Sequence, residues 1–181
     1  MTKIIIAVVA ALVLWVVYVF NSLIRRRNLV RNGWADIDVQ LKRRYDLIPN
    51  LVEVVKGYAG HEKSLFEKVT SARASAMTAE HPAEKEKAEQ TLSSALKTLF
   101  AVAENYPNLK AAENFGALQK ELANIEDTIQ SARRYYNAAT REYNNAIAVF
   151  PRMIVARIFG FGAQEFFGAN ESERGAVKVS F

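Results

Sequence analysis

The chain opens on an unbroken apolar run and then settles into a repeat of threes and fours. From Ile4 to Phe20 it reads IIIAVVAALVLWVVYVF, without a charged side chain. Asn21-Ser22-Leu23-Ile24 extends the run to roughly 20 residues, the length at which a helix crosses the hydrocarbon core of a bilayer. Trp15, Tyr18 and Phe20 lie towards one end, where interfacial aromatic anchors are found. Further on, Phe115, Leu118, Leu122, Ile125, Ile129, Ala132, Tyr136, Ala139, Tyr143, Ala146 and Phe150 follow one another at alternating steps of three and four. That spacing predicts one helix from about Ala111 to Phe150, roughly 60 Å long, with a single apolar seam. Shorter series repeat the pattern: Trp34, Ile37, Leu41, Tyr45 and Ile48; Leu51, Val55, Tyr58, Leu65, Val69, Ala72 and Ala76, interrupted at Glu62; and Ala88, Leu92, Ala95, Leu99, Val102 and Tyr106.

The four prolines, Pro49, Pro82, Pro107 and Pro151, fall between these series. Proline is tolerated in the first turn of a helix and disfavoured inside one, so all four are expected as punctuation. Short connections near Pro82 and Pro107 favour antiparallel neighbours. The expected fold is all-α: an N-terminal transmembrane helix over 1–24, an antiparallel four-helix bundle over 25–150, and a short helix with a Gly/Phe-rich tail over 151–181. With no proline and no glycine before Gly33, the membrane helix is expected to continue into the first bundle helix. Gly33 is either a bend or a tolerated helix glycine. Strand-like alternation is confined to Ala176–Phe181.

Charge sharpens this picture. The chain has 181 residues, 24 basic and 19 acidic side chains and a net charge of +5. Residues 25–44 hold seven basic side chains (Arg25, Arg26, Arg27, Arg31, Lys42, Arg43 and Arg44) against Asp36 and Asp38, which is the whole net charge. Residues 45–181 hold 16 basic and 17 acidic side chains. A basic collar beside an apolar helix orients it and attracts anionic headgroups near residues 25–31. Its alternative is a solvated basic helix face. The positive-inside bias places the bulk of the chain in the cytoplasm and the N-terminus outside. An uncleaved anchor fits better than a cleaved signal peptide, because the run is long and lacks a small-residue cleavage site. The faintly acidic remainder, without a basic–aromatic motif, argues against nucleic acid.

Chemistry is sparse. No cysteine means no disulfide framework, thiolate metal site, cysteine nucleophile or lipidated cysteine. Neither His61 nor His81 has a glutamate three residues before it, so the Glu-x-x-His half-sites of a di-iron bundle are missing; no cofactor is expected. The richest polar stretch is DVQLKRRYDLIPNLVEVVKGYAGHE at 38–62. Asp46 or Asn50 could cap a helix there, and Asp38, Lys42, Arg43 and Glu53 could form surface pairs. His61 and Glu62 are the polar intrusion in a seam, read as a buried register device or part of a small polar site. In the tail, Phe161, Phe166, Phe167 and Phe181 either pack over their own bundle or form an aromatic arm that docks on a neighbouring subunit or lies among headgroups.

The stretch at 38–62 resembles the signature of the LemA family. So do Tyr106-Pro107 followed by Leu109, LQKEL at 118–122, ARRYYN at 132–137, REYNNAI at 141–147, Phe150-Pro151, Gly160-Phe161 and Phe166-Phe167. The resemblance implies a single membrane helix with a small external N-terminus and a helical bundle in the cytoplasm, and it implies no particular enzymatic activity. Three functional readings follow. The first is a non-catalytic membrane scaffold that self-assembles into a homo-oligomer at the inner face of a bacterial cytoplasmic membrane. The second is a sensor or adaptor for another membrane protein, such as a quality-control protease or a signalling kinase. The third is an enzyme, which needs a cleft gathering Asp38, Asp46, His61 and Glu62.

Overall fold

A computed structural model describes residues 1–168, and among these every regular element is a helix. Helix α1 runs over Thr2–Tyr58, α2 over Lys63–Thr78, α3 over Pro82–Ala103, α4 over Pro107–Lys110, α5 over Glu113–Ala148 and α6 over Arg152–Ile158. The all-α expectation holds, with one long N-terminal apolar helix; the alternating Ala176–Phe181 lies outside the described residues. The helices group into two compact units, to which α1 and α5 both contribute. One unit combines Met1–Asp36 with Ala132–Glu165. The other combines Ile37–Ser131 with residues 166–168.

The second unit is a four-helix arrangement of the C-terminal part of α1, α2, α3 and the N-terminal part of α5. Heptad positions close its core: Ile37, Leu41, Tyr45, Ile48, Leu51 and Val55 from α1 meet Val69, Leu92, Leu99, Ile125 and Ile129, all buried. The turn at 59–62 and the three residues 79–81 are too short for anything but antiparallel neighbours. Pro82 and Pro107 stand at the starts of α3 and α4, where a missing N–H costs nothing.

Pro49 corrects the expectation that every proline is punctuation, because α1 passes through it uninterrupted. Proline in a helix interior removes the bond to the carbonyl four residues back, here that of Tyr45. A guanidinium from α2 takes the vacated place: Arg73 Nε donates to the Tyr45 carbonyl at 2.7 Å. A tertiary donor thus substitutes for the lost helical one, and no cap is needed. Asn50 is an exposed helix residue, and Asp46 accepts from Lys42 Nζ at 2.9 Å on the helix surface.

The first unit pairs the N-terminal part of α1 with the C-terminal part of α5 and α6. Gly33 is neither a bend nor an idle glycine. A Cβ there would lie 3.2 Å from both Tyr135 Cδ1 and Tyr136 Cα, so its bare backbone is what lets α5 approach α1. Trp34 packs beside Tyr136 with ring centroids 5.4 Å apart. Further along the same pair, Arg26 reaches Glu142 at 3.0 Å.

Candidate functional site

Three constellations carry the polar chemistry of the described residues, and each is built by helix register. The first lies in the second unit. Steps of four and three carried back from Leu99, Leu96 and Leu92 reach Glu89 and Lys85, so the buried stripe of α3 contains two charges. Glu89 is 1% exposed and faces α1. Arg44 Nη1 lies 2.9 Å from Glu89 Oε2 and 3.2 Å from Glu126 Oε2, while Nη2 donates to Ser93 Oγ at 2.9 Å. The Tyr45 hydroxyl donates to the other oxygen of Glu89. Lys85 Nζ donates to the Ala76 carbonyl at 3.3 Å.

Side chains from α1, α3 and α5 and a backbone carbonyl of α2 therefore meet in one buried node. Burial, together with the hydrogen bond and charge of Glu89, pushes the Tyr45 hydroxyl above its ordinary range, against the opposing pull of Arg44. Tyr45 is consequently a neutral donor at any working pH. Beside Arg44 opens a cleft of about 360 Å³ whose walls include Leu96, Phe100 and Leu122, with Lys97 and Glu126 as its other charges. Neither Glu89 nor Lys85 stands out in the sequence as a candidate, since a charged side chain ordinarily marks an exposed helix position. The stepping of Leu92, Leu96 and Leu99 was the signal that could have found them.

The second constellation is the basic collar. Arg25 and Arg31 are exposed, whereas their neighbours are engaged within the first unit. Arg26 pairs with Glu142, and the Arg27 guanidinium lies 5.3 Å from the centre of the Phe161 ring. The apolar run ahead of the collar has an 18-residue window of mean hydropathy 2.7, only 6% buried. Such a surface, apolar all round, is what a lipid-facing helix presents.

The third constellation holds the tail, and it revises the aromatic-arm expectation. Gly160 adopts a φ of +68°, with Phe161 N donating to the Ala156 carbonyl at 2.9 Å and Gly160 N to the Arg157 carbonyl at 3.3 Å. This is a Schellman end to α6, which needs a left-handed residue at that position. It returns the chain so that Phe161 is buried, its ring centroid 5.7 Å from that of Phe20. Side chains of α5 then stitch down the following backbone. The Tyr143 hydroxyl donates to the Gly162 carbonyl at 3.0 Å and the Tyr136 hydroxyl to the Glu165 carbonyl at 2.7 Å. Asn144 donates to the Gln164 carbonyl at 2.8 Å and accepts from Gln164 N at 2.9 Å.

In the second unit Phe167 is buried, Phe166 is half-buried, and a Cβ on Gly168 would meet Glu86 Oε2 at 3.0 Å. Phe161 and Phe167 are thus packed against their own chain rather than offered outward; Phe181 lies outside the described residues. Seam tyrosines were the available clue, since each buried hydroxyl requires a partner.

His61 and Glu62 do not form a polar seam. They occupy the turn between α1 and α2, His61 exposed and Glu62 half-buried, and Glu62 precedes α2 without capping it through its side chain. The seam is interrupted there because the chain reverses. Asp38 and the end of α1 are twenty residues apart on one helix, about 30 Å, so Asp38, Asp46, His61 and Glu62 do not converge. Among the described residues no group of three or more His, Cys, Asp or Glu side chains is placed to hold a metal ion.

Comparison with known proteins identifies the relatives of this chain by sequence. The sequence model of the LemA family matches residues 33–181. Protein LemA of Metamycoplasma hominis is 27% identical over 164 residues, covering 88% of this chain and 74% of that protein. Magnetosome protein MamQ of Magnetospirillum gryphiswaldense is 26% identical over 159 residues, covering 74% of this chain and 58% of that protein. Magnetosome protein MamQ 2 of Paramagnetospirillum magneticum is 25% identical over 174 residues, with coverages of 82% and 64%. The chain therefore spans less than two thirds of the magnetosome relatives it matches.

Proposed function

The chain belongs to the LemA family, and on that premise we propose that it is a non-catalytic, single-pass membrane-anchored scaffold. In this reading residues 1–24 cross a bacterial cytoplasmic membrane with the N-terminus outside. Everything from the arginine collar onward lies in the cytoplasm, and further copies assemble on its helical faces. The observation that carries it is the junction within α1. An apolar surface left almost wholly bare runs to Tyr18, and within seven residues the same helix presents Arg25, Arg26 and Arg27. Leaving that much apolar surface in water is strongly unfavourable, at about 25 cal/mol per Å², and a bilayer removes the cost. Arg25 and Arg31 are the exposed members of the collar and face anionic headgroups, each worth about 1 kcal/mol near the surface.

Two experiments test this. Single cysteines at Thr2 and Ala79, labelled from outside intact cells, should modify the first only; the reverse pattern overturns the orientation. Mass measurement of the full chain in mild detergent should find a species larger than one copy, and a strictly monomeric chain ends the self-assembly reading. Crosslinked cells that yield a dominant stoichiometric partner, rather than the chain itself, would make it an adaptor.

A further inference from the structure

The corner formed by the end of α5 and α6 is not explained by anchoring or by the tail clamp. Helix α6 buries Val155 and Ala156 and leaves Ile154 and Ile158 uncovered. These two are four residues apart and share a face. Phe150, four residues earlier, is 71% exposed, Ile158 72%, and Val149 and Phe159 are likewise bare. Scattered apolar residues on a surface need no explanation, but five large ones left exposed within eleven residues, in the turn before one short helix, on it and at its end, do.

Its position identifies the occupant. The Phe159 ring packs edge-on against Phe20, the last residue of the apolar run, at 4.9 Å. Phe161, two residues on, bridges from Phe20 to Arg27. Along α1 those two residues are about 10 Å apart, so α6 lies beside the level where the anchor passes from hydrocarbon to headgroup. Arg157 is exposed on α6, and Arg152 is half-buried at its start. A short helix with bare isoleucines and flanking arginines, adjoining the end of a membrane-spanning segment, has the make-up of an element lying in the interface plane.

We propose that the α5–α6 corner is a second membrane contact, in which Phe150, Ile154 and Ile158 enter the headgroup–acyl boundary beside the anchor and Arg157 meets lipid phosphate. The occupant is the bilayer itself, because the Phe159 ring joins the bare end of α6 to Phe20, the last residue of the apolar run of α1. The inference rests on the anchor reading. This contact restricts how α1 can tilt and rotate, since one corner of the first unit is held at the lipid surface.

The chain has no cysteine, so single nitroxide labels can be placed at Ile154→Cys, Ile158→Cys, Val9→Cys within the anchor and exposed Ala101→Cys on α3. The full-length protein is reconstituted in vesicles of phosphatidylcholine and phosphatidylglycerol. Accessibility to oxygen, which partitions into lipid, is compared with accessibility to a water-soluble nickel chelate. The expected ratio at 154 and 158 is several-fold, roughly three or more, above that at 101 and closer to that at 9. A ratio at 154 and 158 equal to that at 101, with Val9 in lipid, overturns the proposal and spares the anchor. An aqueous signature at Val9 overturns the anchor reading. Labels at 154 and 158 shielded from both reagents, with spin–spin broadening lost on dilution with unlabelled chain, would show a second copy on this face and also overturn the proposal. Because all four sites are exposed, circular dichroism matching the parent chain is expected for every variant.

Discussion

Replacing Arg73 by methionine should reveal how a helix tolerates Pro49. Methionine keeps much of the arginine stem's packing but cannot donate to the Tyr45 carbonyl, now reached by Nε at 2.7 Å. Tyr45 is buried, and Pro49 has no N–H to offer in return. A buried carbonyl left without a partner costs about 1–3 kcal/mol, and the present bond, with a charged donor, is of the stronger kind. Arg73→Met should therefore destabilise the chain by about 2 kcal/mol. In a Pro49→Ala background, the restored N–H of residue 49 bonds that same carbonyl, and Arg73→Met should then cost less than about 0.5 kcal/mol. Pro49→Ala alone should stabilise by about 1–2 kcal/mol, below the full cost of proline in a helix because Arg73 already offsets part of it. Urea unfolding in mild detergent, followed by far-UV circular dichroism for all four members of the cycle, measures the coupling. Equal losses on Arg73→Met in both backgrounds would refute the argument, since Arg73 would then not be standing in for the missing helical donor.

Other outcomes follow from the same geometry. Arg44→Met strands Glu89 in the core and should cost about 3–5 kcal/mol, whereas Arg44→Met combined with Glu89→Met should recover most of that loss; denaturant midpoints decide between this and simple additivity. Gly33→Val places a Cβ within 3.2 Å of the α5 backbone and should lower stability by about 1–3 kcal/mol. At Gly57, where a Cβ would meet nothing, alanine should be neutral or stabilising by up to about 1 kcal/mol. Stability should hold below pH 10 and fall above it, because unfolded tyrosine ionises near its ordinary value of 10 whereas Tyr45, Tyr136 and Tyr143 are held above it. The raised folded value makes the neutral form the stabilising one, so the loss runs upward from pH 10. Tyr45→Phe should shallow the decline between pH 9 and 11 in thermal melts, and an unchanged slope would show that Tyr45 is not among its causes.

The scaffold reading ties these observations together. The buried node ties α1, α2, α3 and α5 together in the second unit through Arg44, Tyr45, Glu89, Glu126 and the Ala76 carbonyl. Buried ion pairs are weak contributors to net stability, and in some proteins they select against slipped packings, a property that suits the proposed scaffold. In the first unit the clamp from Tyr136, Tyr143 and Asn144 gives the backbone after α6 a fixed course, and with Phe161 it seats α6 against Phe20.

The legible part was whatever depends on periodicity and local charge. The seam from Phe115 to Ala146 runs along α5, within two residues of the expected helix at either end, and the apolar run with its arginines stood out without any tertiary knowledge. Such features repeat over many residues, so each position corroborates the next. Single events were not legible, because each depends on a partner distant in the chain. Pro49 reads as a break until Arg73, on another helix, is seen to replace its N–H. Gly33 has no distinct meaning until Tyr136 arrives beside it. Glu89 looks like a surface charge until Arg44 and Tyr45 face it, and the tail phenylalanines look outward until Gly160 turns the chain back. Sequence alone therefore determined the helical class, the apolar seams and the apolar run with its basic collar, since hydrophobic spacing and charge bias are local quantities. Tertiary structure decided which polar groups could be buried, which helix could survive a proline and which apolar residues were left bare at α6, since burial and hydrogen-bond satisfaction belong to pairs of segments.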